Sequence, residues 1–302
     1  MKVLVTGGCG FIGSHLVRSL IERGYNVIIF DNFSHASCLG VDGATLIKGD
    51  VRFKPALENA LNGVDAVYHL AALTDVRESV RKPLLYHKVN SDGTLNVLEC
   101  CRRVGVKNLI YTSSCAVYGE PVKLPIDEEH PLKPLSPYAA SKLCAEAFCR
   151  SYASCYDVNV TVFRLFNVYG PRQSDHYAGV ISEFVKRVKG GKPPVIYGSG
   201  EQSRDFIYVG DVVDCLIRAL ESEQSGFELL NLGSGKAVKV NELAEHVLKL
   251  IGNVNLSPIR KPAKRFEIFA SCADTSRVEK KLNFKPKKSI VDGLTELLRS
   301  YS

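Results

Sequence analysis

Tyr138 and Lys142 lie four residues apart and could perform acid–base chemistry on a hydroxyl group. This spacing places both side chains on one face of a helix that we expect to begin at Pro137. A lysine favours the phenolate, so it would lower the pKa of Tyr138 toward physiological pH and make the tyrosine a usable base. Ser114 ends a predicted strand and could donate a hydrogen bond to the same substrate oxygen. Because Tyr-x-x-x-Lys is common by chance, the interpretation needs a cofactor site beside it.

A glycine-rich turn near the start of the sequence predicts such a site. Gly7, Gly10 and Gly13 separate an apolar strand from a helix, where glycine permits the turn, the close approach of a pyrophosphate and tight helix packing. Asp31 lies 18 residues after Gly13, at the end of the second predicted strand, and can accept hydrogen bonds from a ribose. Its carboxylate would repel a 2′-phosphate, and no arginine or lysine follows before Lys48. The pattern therefore predicts a dinucleotide site that prefers NAD to NADP.

Two more strand ends are expected at the same edge of the sheet. Asp50 and Val51 follow the third strand and could contact the adenine, although a solvated turn aspartate would have the same sequence. His69 closes the fourth strand, and we interpret it as a core histidine with satisfied hydrogen bonds. The residues that follow it are small enough for a flat ring to approach, namely Leu70, Ala71 and Ala72.

The elements that would position these residues alternate between β-branched strands and amphipathic helices, which is typical of a parallel sheet covered on both faces. The predicted strands are Lys2–Thr6, Asn26–Phe30, Thr45–Lys48, Ala66–His69, Asn108–Thr112 and Asn159–Arg164. The predicted helices are Gly10–Arg23, Lys54–Leu61, Tyr86–Arg103 and Pro137–Tyr156. We expect an α/β fold with a doubly wound parallel (Rossmann) sheet.

After Asn167 the sequence is punctuated by proline and glycine, which predicts a second, smaller α/β lobe with short strands at 195–197 and 206–209. A helix over 211–221 and a strand over 228–232 are apolar enough to return to the first sheet. We therefore predict an NAD-binding domain over residues 1–166 and 210–234. The predicted substrate-binding lobe comprises residues 167–209 and 235–302.

The composition excludes several classes of protein. The 302 residues carry a net charge of +7 that is spread along the chain without a basic block, so nucleic-acid binding is not expected. No apolar run is long enough to span a bilayer and no leader precedes the first strand, so we expect no membrane contact and a cytoplasmic location. The ten cysteines form no C-x-x-C pair and none lies at metal-ligand spacing to the seven histidines, so no metal site is predicted.

Together these motifs resemble the extended short-chain dehydrogenase/reductase family along nearly the whole chain, and within it the nucleotide-sugar 4-epimerases. The resemblance implies an NAD-dependent enzyme that interconverts UDP-galactose and UDP-glucose through a 4-keto sugar, with the hydride returned from NADH. It implies that Ser114 and Tyr138 assist hydride removal from C4, while Lys142 holds the nicotinamide ribose. The implied NAD contacts are Gly7, Gly10, Phe11, Ile12, Gly13, Asp31, Asn32, Asp50, Val51, Leu70, Ala71, Ala72, Asn90, Tyr138, Lys142 and Phe166.

The resemblance extends into the second lobe and implies a substrate site there. Asn167 and Arg204 match positions that hold the sugar diphosphate, a task suited to a guanidinium group, although Arg204 could instead pair with Asp205. Val195 and Tyr197 match the uracil-binding strand. A second arginine of the diphosphate site corresponds to Lys264 or Arg265, and Ser271 falls where a bulky residue excludes N-acetylated sugars in some relatives.

Other functions remain open at this point. A 4,6-dehydratase is disfavoured because residues 113–116 contain no carboxylates. A GDP-sugar 3,5-epimerase/reductase would use Cys115 and His176 for proton transfer. A simple NAD-linked dehydrogenase or a non-catalytic NAD-binding regulator are further alternatives. The family resemblance also implies a homodimer that pairs the Tyr86–Arg103 and Pro137–Tyr156 helices of two subunits in a four-helix bundle.

Overall fold

A seven-stranded parallel sheet forms the centre of the molecule in the computed structural model, which describes residues 1–36, 38–173, 179–223, 225–263 and 268–301. The strand order is β10-β6-β5-β4-β1-β2-β3. These strands are β1 (Lys2–Thr6), β2 (Asn26–Asp31), β3 (Thr45–Lys48), β4 (Ala66–His69), β5 (Asn108–Ser114), β6 (Asn159–Leu165) and β10 (Phe227–Leu232). The predicted doubly wound α/β fold is thereby confirmed.

The central strands are almost continuously apolar because both faces of the sheet are covered. In β1, Val3 pairs with Val27 of β2 on one side and with Ala66 of β4 on the other. Since the chain order reverses between β1 and β4, a crevice opens at the carboxyl ends of these two strands. One apolar core lies on each face of this sheet, and a third fills the second lobe.

Helices connect the strands and are described here in chain order. They are α1 (Phe11–Glu22), α2 (Lys54–Leu61), α3 (Val76–Arg81), α4 (Pro83–Tyr86), α5 (Gly93–Val104), α6 (Pro137–Cys155), α7 (Val180–Lys189), α8 (Val209–Glu221), α9 (Val240–Ile251), α10 (Ser276–Leu282) and α11 (Ile290–Arg299). A π-helical segment spans His87–Asp92, and a 3-10 turn spans Cys115–Tyr118.

The prediction of one regular helix over Tyr86–Arg103 is wrong. The helix α4 ends at Tyr86, and the π-helical segment His87–Asp92 separates it from α5. Within the π segment Asn90 is buried, and its carbonyl accepts a hydrogen bond from the Thr94 hydroxyl at 2.6 Å. Such single-turn π segments often accompany functional sites, because they rotate a side chain away from the regular helical position.

The sequence after Asn167 forms two small sheets and returns one strand, β10, to the first sheet. One small sheet has the order β11-β9-β7, and the other pairs β12 with β8. Their strands are β7 (Asn167–Tyr169), β8 (Val195–Tyr197), β9 (Ser203–Tyr208), β11 (Ala237–Lys239) and β12 (Ile259–Lys261). The strand β10 pairs with β6 in parallel, as its apolar sequence suggested. The residue limits of the two lobes stay a prediction.

Two elements after Asn167 begin earlier than predicted. The strand expected at 206–209 is β9, which starts at Ser203, and the helix expected at Asp211 starts at Val209. Within the described ranges no helix has the length and apolarity needed to cross a membrane.

Candidate active site

The glycine-rich turn lies between β1 and α1 and leaves no room for side chains. Gly7 has φ +70°, and a Cβ atom there would lie 2.7 Å from the Ala71 amide nitrogen. A Cβ on Gly13 would lie 2.1 Å from the Gly7 carbonyl oxygen. The turn thus packs against the segment after β4 and against its own helix. It forms a bare backbone cradle at a helix N-terminus, which fits the pyrophosphate of a dinucleotide.

A cleft of about 270 Å³ extends from this turn along the carboxyl ends of the first strands. Its lining includes most of the residues predicted to bind NAD, namely Gly7, Gly10, Asp31, Asn32, Asp50, Val51, Leu70, Ala71 and Ala72. Phe11, Ile12 and Gly13 instead form the first turn of α1, where Phe11 and Ile12 pack against the core of the second lobe.

Asp31 lies at the ribose end of the cleft and is largely buried. Its carboxylate accepts hydrogen bonds from the Cys9 amide at 3.0 Å and from the Phe33 amide at 2.7 Å. These two amides fix the carboxylate at the carboxyl end of β2, facing the glycine-rich turn. A carboxylate held there can accept ribose hydroxyls and would repel a 2′-phosphate, so the site fits NAD.

Arg52 is a cleft residue that the sequence analysis missed. Its guanidinium donates to both carboxylate oxygens of Asp50, at 2.8 and 2.6 Å, and Asn32 donates to the same carboxylate at 2.8 Å. These hydrogen bonds, chiefly those from Arg52, lower the pKa of Asp50 to about 2. Asp50 is therefore a fixed hydrogen-bond acceptor in the cleft, and its contact with the adenine stays a prediction. The only hint of this pair in the sequence is that Asp50 and Arg52 lie two residues apart.

His69 and Asn90 form buried hydrogen bonds that connect the segments next to the cleft. His69 is fully buried between the hydroxyls of Thr6 at 2.7 Å and Thr94 at 2.9 Å, and burial lowers its pKa to about 3. The amide group of Asn90 accepts from the Leu73 amide at 2.9 Å and donates to the Leu73 carbonyl at 3.0 Å. It also donates to the Ser141 hydroxyl at 2.9 Å. Asn90 therefore ties the segment after β4 to α6.

Ser114, Tyr138 and Lys142 converge at the carboxyl end of β5. Tyr138 is buried beside Leu73, Tyr86 and the cleft residue Val89, and Ser114 lies near enough for its hydroxyl to act on the pKa of the phenol. Ser136 caps α6 by accepting from the Ala139 amide, which fixes the first turn that carries the tyrosine. Lys142 follows one turn later, and its ammonium donates to the Thr112 carbonyl at 2.7 Å.

The prediction that lysine lowers the pKa of Tyr138 does not describe this site. Burial raises the pKa of Tyr138 to about 12 and outweighs the opposing effect of the hydrogen bond with Ser114. Burial also lowers the pKa of Lys142 to about 7, against the attraction of Glu146. Removal from water disfavours both charged forms, so desolvation dominates the electrostatics of the pair. Ser114 is the group of this protein that favours the phenolate.

A buried ionic network beneath Lys142 also escaped the sequence analysis. Glu146, one turn after Lys142, accepts the Ser113 hydroxyl and two guanidinium nitrogens of Arg164, the closer at 2.7 Å. Arg164 further donates to the Tyr118 hydroxyl at 3.0 Å and to the Glu128 carbonyl at 3.1 Å. Helical spacing could have placed Glu146 near Lys142. Nothing in the sequence pointed to its partner on β6.

The predicted substrate residues lie on the second-lobe side of the same region. The side-chain amide of Asn167 donates to the backbone carbonyl of Asp205 at 3.0 Å, and this hydrogen bond joins β7 to β9. Arg204 donates to the Ser203 carbonyl at 2.8 Å, whereas the Asp205 carboxylate accepts from Ser234, Gly235 and Ala273. Val195 and Tyr197 begin and end β8. Their roles in binding stay predictions.

Five more predicted residues remain, of which the structure describes two. Phe166 packs in a core with Val117, Tyr118, Ile126 and Ala273. Ser271 is buried, and its hydroxyl oxygen has no hydrogen-bond partner among the residues that the structure describes. Lys264, Arg265 and His176 lie outside the described residues.

Cys115, the acid–base group of one alternative, starts the 3-10 turn after β5. Burial raises its pKa to about 12, and the nearby Asp205 carboxylate acts in the same direction. A thiol in this environment is a weak base at neutral pH.

Comparisons with known proteins agree with this geometry. Residues 3–233 match the family model described as the NAD dependent epimerase/dehydratase family. A protein of Methanocaldococcus jannaschii named putative UDP-glucose 4-epimerase is 38% identical, and the alignment covers 98% of this chain and 97% of the relative. Proteins named as decarboxylases of UDP-sugar acids also match, at 33% identity.

Solved structures show the same relationship. A Thermotoga maritima UDP-glucose 4-epimerase with UDP-glucose superposes with a TM-score of 0.95 at 36% identity, covering 100% of this chain and 98% of the other. A Methanobrevibacter ruminantium UDP-N-acetylglucosamine 4-epimerase, in complex with UDP-N-acetylmuramic acid, has a TM-score of 0.94 at 37% identity, with coverages of 99% and 97%. Other solved relatives contain NAD, which together with the cradle described above identifies NAD as the cofactor.

Proposed function

Because this chain belongs to the NAD-dependent epimerase/dehydratase family, we propose that it interconverts UDP-galactose and UDP-glucose by inverting C4 of the hexose. The observation that carries this proposal is the convergence of Ser114, Tyr138 and Lys142 at the carboxyl end of β5, beside residues that line the NAD cleft. A serine–tyrosine pair at this position can handle the proton of a secondary hydroxyl. When bound, NAD supplies the group that accepts the C4 hydride and returns it.

The residues of the chain have distinct tasks in this proposal. Tyr138 takes the proton of the C4 hydroxyl as the keto group forms and gives it back when the opposite face is reduced. Ser114 donates a hydrogen bond to the reacting oxygen and favours the phenolate. Lys142, held by the Thr112 carbonyl, would hold the nicotinamide ribose. The positive charge of an oxidised nicotinamide would lower the pKa of the phenol and so offset the cost of burial.

The test is incubation of the purified protein with NAD and UDP-galactose, followed by chromatography of the sugar nucleotides and absorbance of NADH. We expect UDP-glucose to form with no net NADH. Tyr138→Phe should lower kcat by about 10³-fold, in the range of a lost general base. Tyr156→Phe is the control, because Tyr156 is exposed at the end of α6.

Different products would support other functions. Steady accumulation of NADH would indicate a dehydrogenase, and release of CO₂ from UDP-glucuronic acid would indicate a decarboxylase. NAD binding without turnover of UDP-, GDP- or TDP-sugars would indicate a regulatory protein. Each of these results would refute the 4-epimerase proposal.

We further infer that UDP-N-acetylhexosamines are substrates. The supporting observation is Ser271, a small buried residue whose hydroxyl has no partner and whose amide donates to the Ser203 carbonyl beside Arg204. A hydroxyl in that position could donate to an N-acetyl carbonyl, and its small size leaves room for the acetyl group. Turnover of UDP-N-acetylglucosamine should fall in Ser271→Val, which adds bulk and removes the donor, while UDP-glucose turnover changes less. Failure of the wild-type chain to convert UDP-N-acetylglucosamine would refute this.

A homodimer is also proposed. Leu95 on α5 and Phe148 on α6 are only partly buried, so both helices have apolar groups available for a second copy. Sedimentation equilibrium should give twice the mass of the chain, and Leu95→Glu should shift the population to monomer. A monomeric wild-type protein at micromolar concentration would contradict the proposal.

A further inference from the structure

Two cysteines meet beside the ribose end of the cofactor cleft. Cys9 belongs to the glycine-rich turn, and Cys38 lies in the loop after β2, here called the β2 loop (residues 32–36 and Cys38). The Cys38 amide donates to the Cys9 carbonyl at 3.2 Å, and the Cys38 thiol lies 3.8 Å from the same oxygen. The Cys38 side chain is close enough to Cys9 to contribute to the raised pKa of the Cys9 thiol. A direct backbone hydrogen bond keeps two Cα atoms about 5 to 6 Å apart, which is the separation that a disulfide requires.

The pair joins two segments that both contact the cofactor site. The Cys9 amide donates to the Asp31 carboxylate at 3.0 Å, so the thiol lies directly behind the ribose-binding group. On the other side, Asn32, Ser34 and His35 of the β2 loop line the cleft. A covalent bond between the cysteines would therefore connect the phosphate-binding turn to the loop that borders the adenosine end.

No other described cysteines share this arrangement. Cys100 and Cys101 are neighbours along α5 and are buried, whereas Cys155 is exposed at the end of α6. We propose that Cys9 and Cys38 form a reversible disulfide that fastens the β2 loop to the glycine-rich turn and slows the release of NAD. The inference rests on the NAD site alone and does not depend on which sugar reacts.

The oxidant is a small-molecule disulfide such as oxidised glutathione. The partly exposed Cys38 thiolate attacks one sulfur of glutathione disulfide, forms a mixed disulfide and releases one reduced glutathione. Cys9, as thiolate, then attacks the Cys38 sulfur and displaces the second reduced glutathione. The two protein thiols are oxidised, the glutathione disulfide is reduced to two thiols, and one proton leaves each cysteine.

The environment of Cys9 determines the rate of the second step. Cys9 is fully buried, and its burial, the Asp31 carboxylate and the adjacent Cys38 raise its pKa to about 12. Because only the thiolate attacks, closure should be slow at pH 7 and accelerate toward pH 9. The mixed disulfide on Cys38 should therefore be seen transiently at pH 7 and hardly at pH 9.

The experiment treats the full chain with oxidised glutathione at pH 7 and pH 9, in a Cys155→Ser background that removes the exposed thiol. Peptide mapping by mass spectrometry should recover a Cys9–Cys38 cross-link that is two hydrogens lighter than the reduced pair. Stopped-flow displacement should show NAD dissociation slowed by about tenfold in the oxidised protein and restored by dithiothreitol, as expected when loop opening limits release. Cys38→Ser should show neither effect.

Two results would overturn the proposal. Glutathione that remains on Cys38 at pH 9 would show that Cys9 cannot displace it. A Cys9–Cys38 disulfide that leaves NAD dissociation unchanged would show that the bond does not fasten the loop. Cys9→Ala provides a second check, since it should stop the reaction at the mixed disulfide even if the Cys38→Ser variant folds poorly.

Discussion

Replacement of Lys142 by methionine should stabilise the protein at low pH, and the gain should disappear at high pH. Lys142 is buried, and its pKa falls from 10.5 to about 7 because desolvation penalises the ammonium. Between these two values the unfolded chain binds a proton that the folded chain does not. Stability therefore rises with pH across this window, and below pH 7 the full penalty of burying the charge is present.

The size of the effect follows from the pKa difference. At about 1.4 kcal/mol per pKa unit, burying the charged lysine costs about 5 kcal/mol below pH 7 and only about 1.5 kcal/mol at pH 9.5. Methionine of similar length removes this cost but leaves the Thr112 carbonyl without its donor, a loss of about 2 kcal/mol. The net gain should be about 3 kcal/mol at pH 6 and close to zero at pH 9.5.

Urea unfolding of both proteins at pH 6 and pH 9.5 measures this gain. Lys280→Met on α10 is the control, because Lys280 is exposed and its replacement should change the free energy of unfolding by less than about 0.5 kcal/mol at either pH. A Lys142→Met variant that is less stable than wild type at pH 6 would refute the reasoning. The reasoning would also be refuted if the stability gained by Lys142→Met did not fall by about 3 kcal/mol between pH 6 and pH 9.5.

Three further predictions concern the site. Gly7→Ala should weaken NAD binding at least tenfold by calorimetry, because its Cβ would meet the Ala71 backbone, whereas Gly24→Ala, with φ +82° and open space, should leave NAD affinity unchanged. Glu146→Gln should lower the free energy of unfolding by about 3 to 5 kcal/mol in urea, because it leaves Arg164 charged and buried, and adding Arg164→Met should recover part of the loss. Cys115→Ala should keep kcat within about twofold of wild type in the epimerase assay, since a thiol with its pKa raised to about 12 is a poor base; a loss above 100-fold would favour the cysteine-dependent alternative.

The sequence predicted the sheet well because each strand is a short apolar run between turn residues. Five of the six strands predicted before residue 165 begin and end as predicted or differ by one residue, and β1, β3 and β4 match at both ends. The roles of the glycine-rich turn and Asp31 could be predicted from the sequence for a similar reason. Their chemistry depends on local backbone geometry, which neighbouring residues in the sequence determine.

What the sequence could not predict depends on partners distant in the chain. The π-helical segment exists where Asn90 meets Leu73 and Ser141, and neither contact has a signature near residue 90. Glu146 finds its counterion Arg164 on β6. Arg52 is the exception, because its partner Asp50 is only two residues away. The predicted direction of the Tyr138 pKa shift was wrong for a related reason. The depth of burial is a property of the folded molecule, and a four-residue spacing does not reveal it.

The place of β10 at the edge of the main sheet has a consequence for synthesis on the ribosome. The strand β6 pairs with β5 on one side and with β10 on the other, yet β10 is translated only after β7, β8 and β9. A nascent chain that has emerged as far as β6 therefore exposes an unpaired apolar strand edge, which is a template for aggregation. The strands and helices translated between β6 and β10 delay the pairing of this β6 edge. Fragments that end before Phe227 should accordingly require chaperones where the full chain does not.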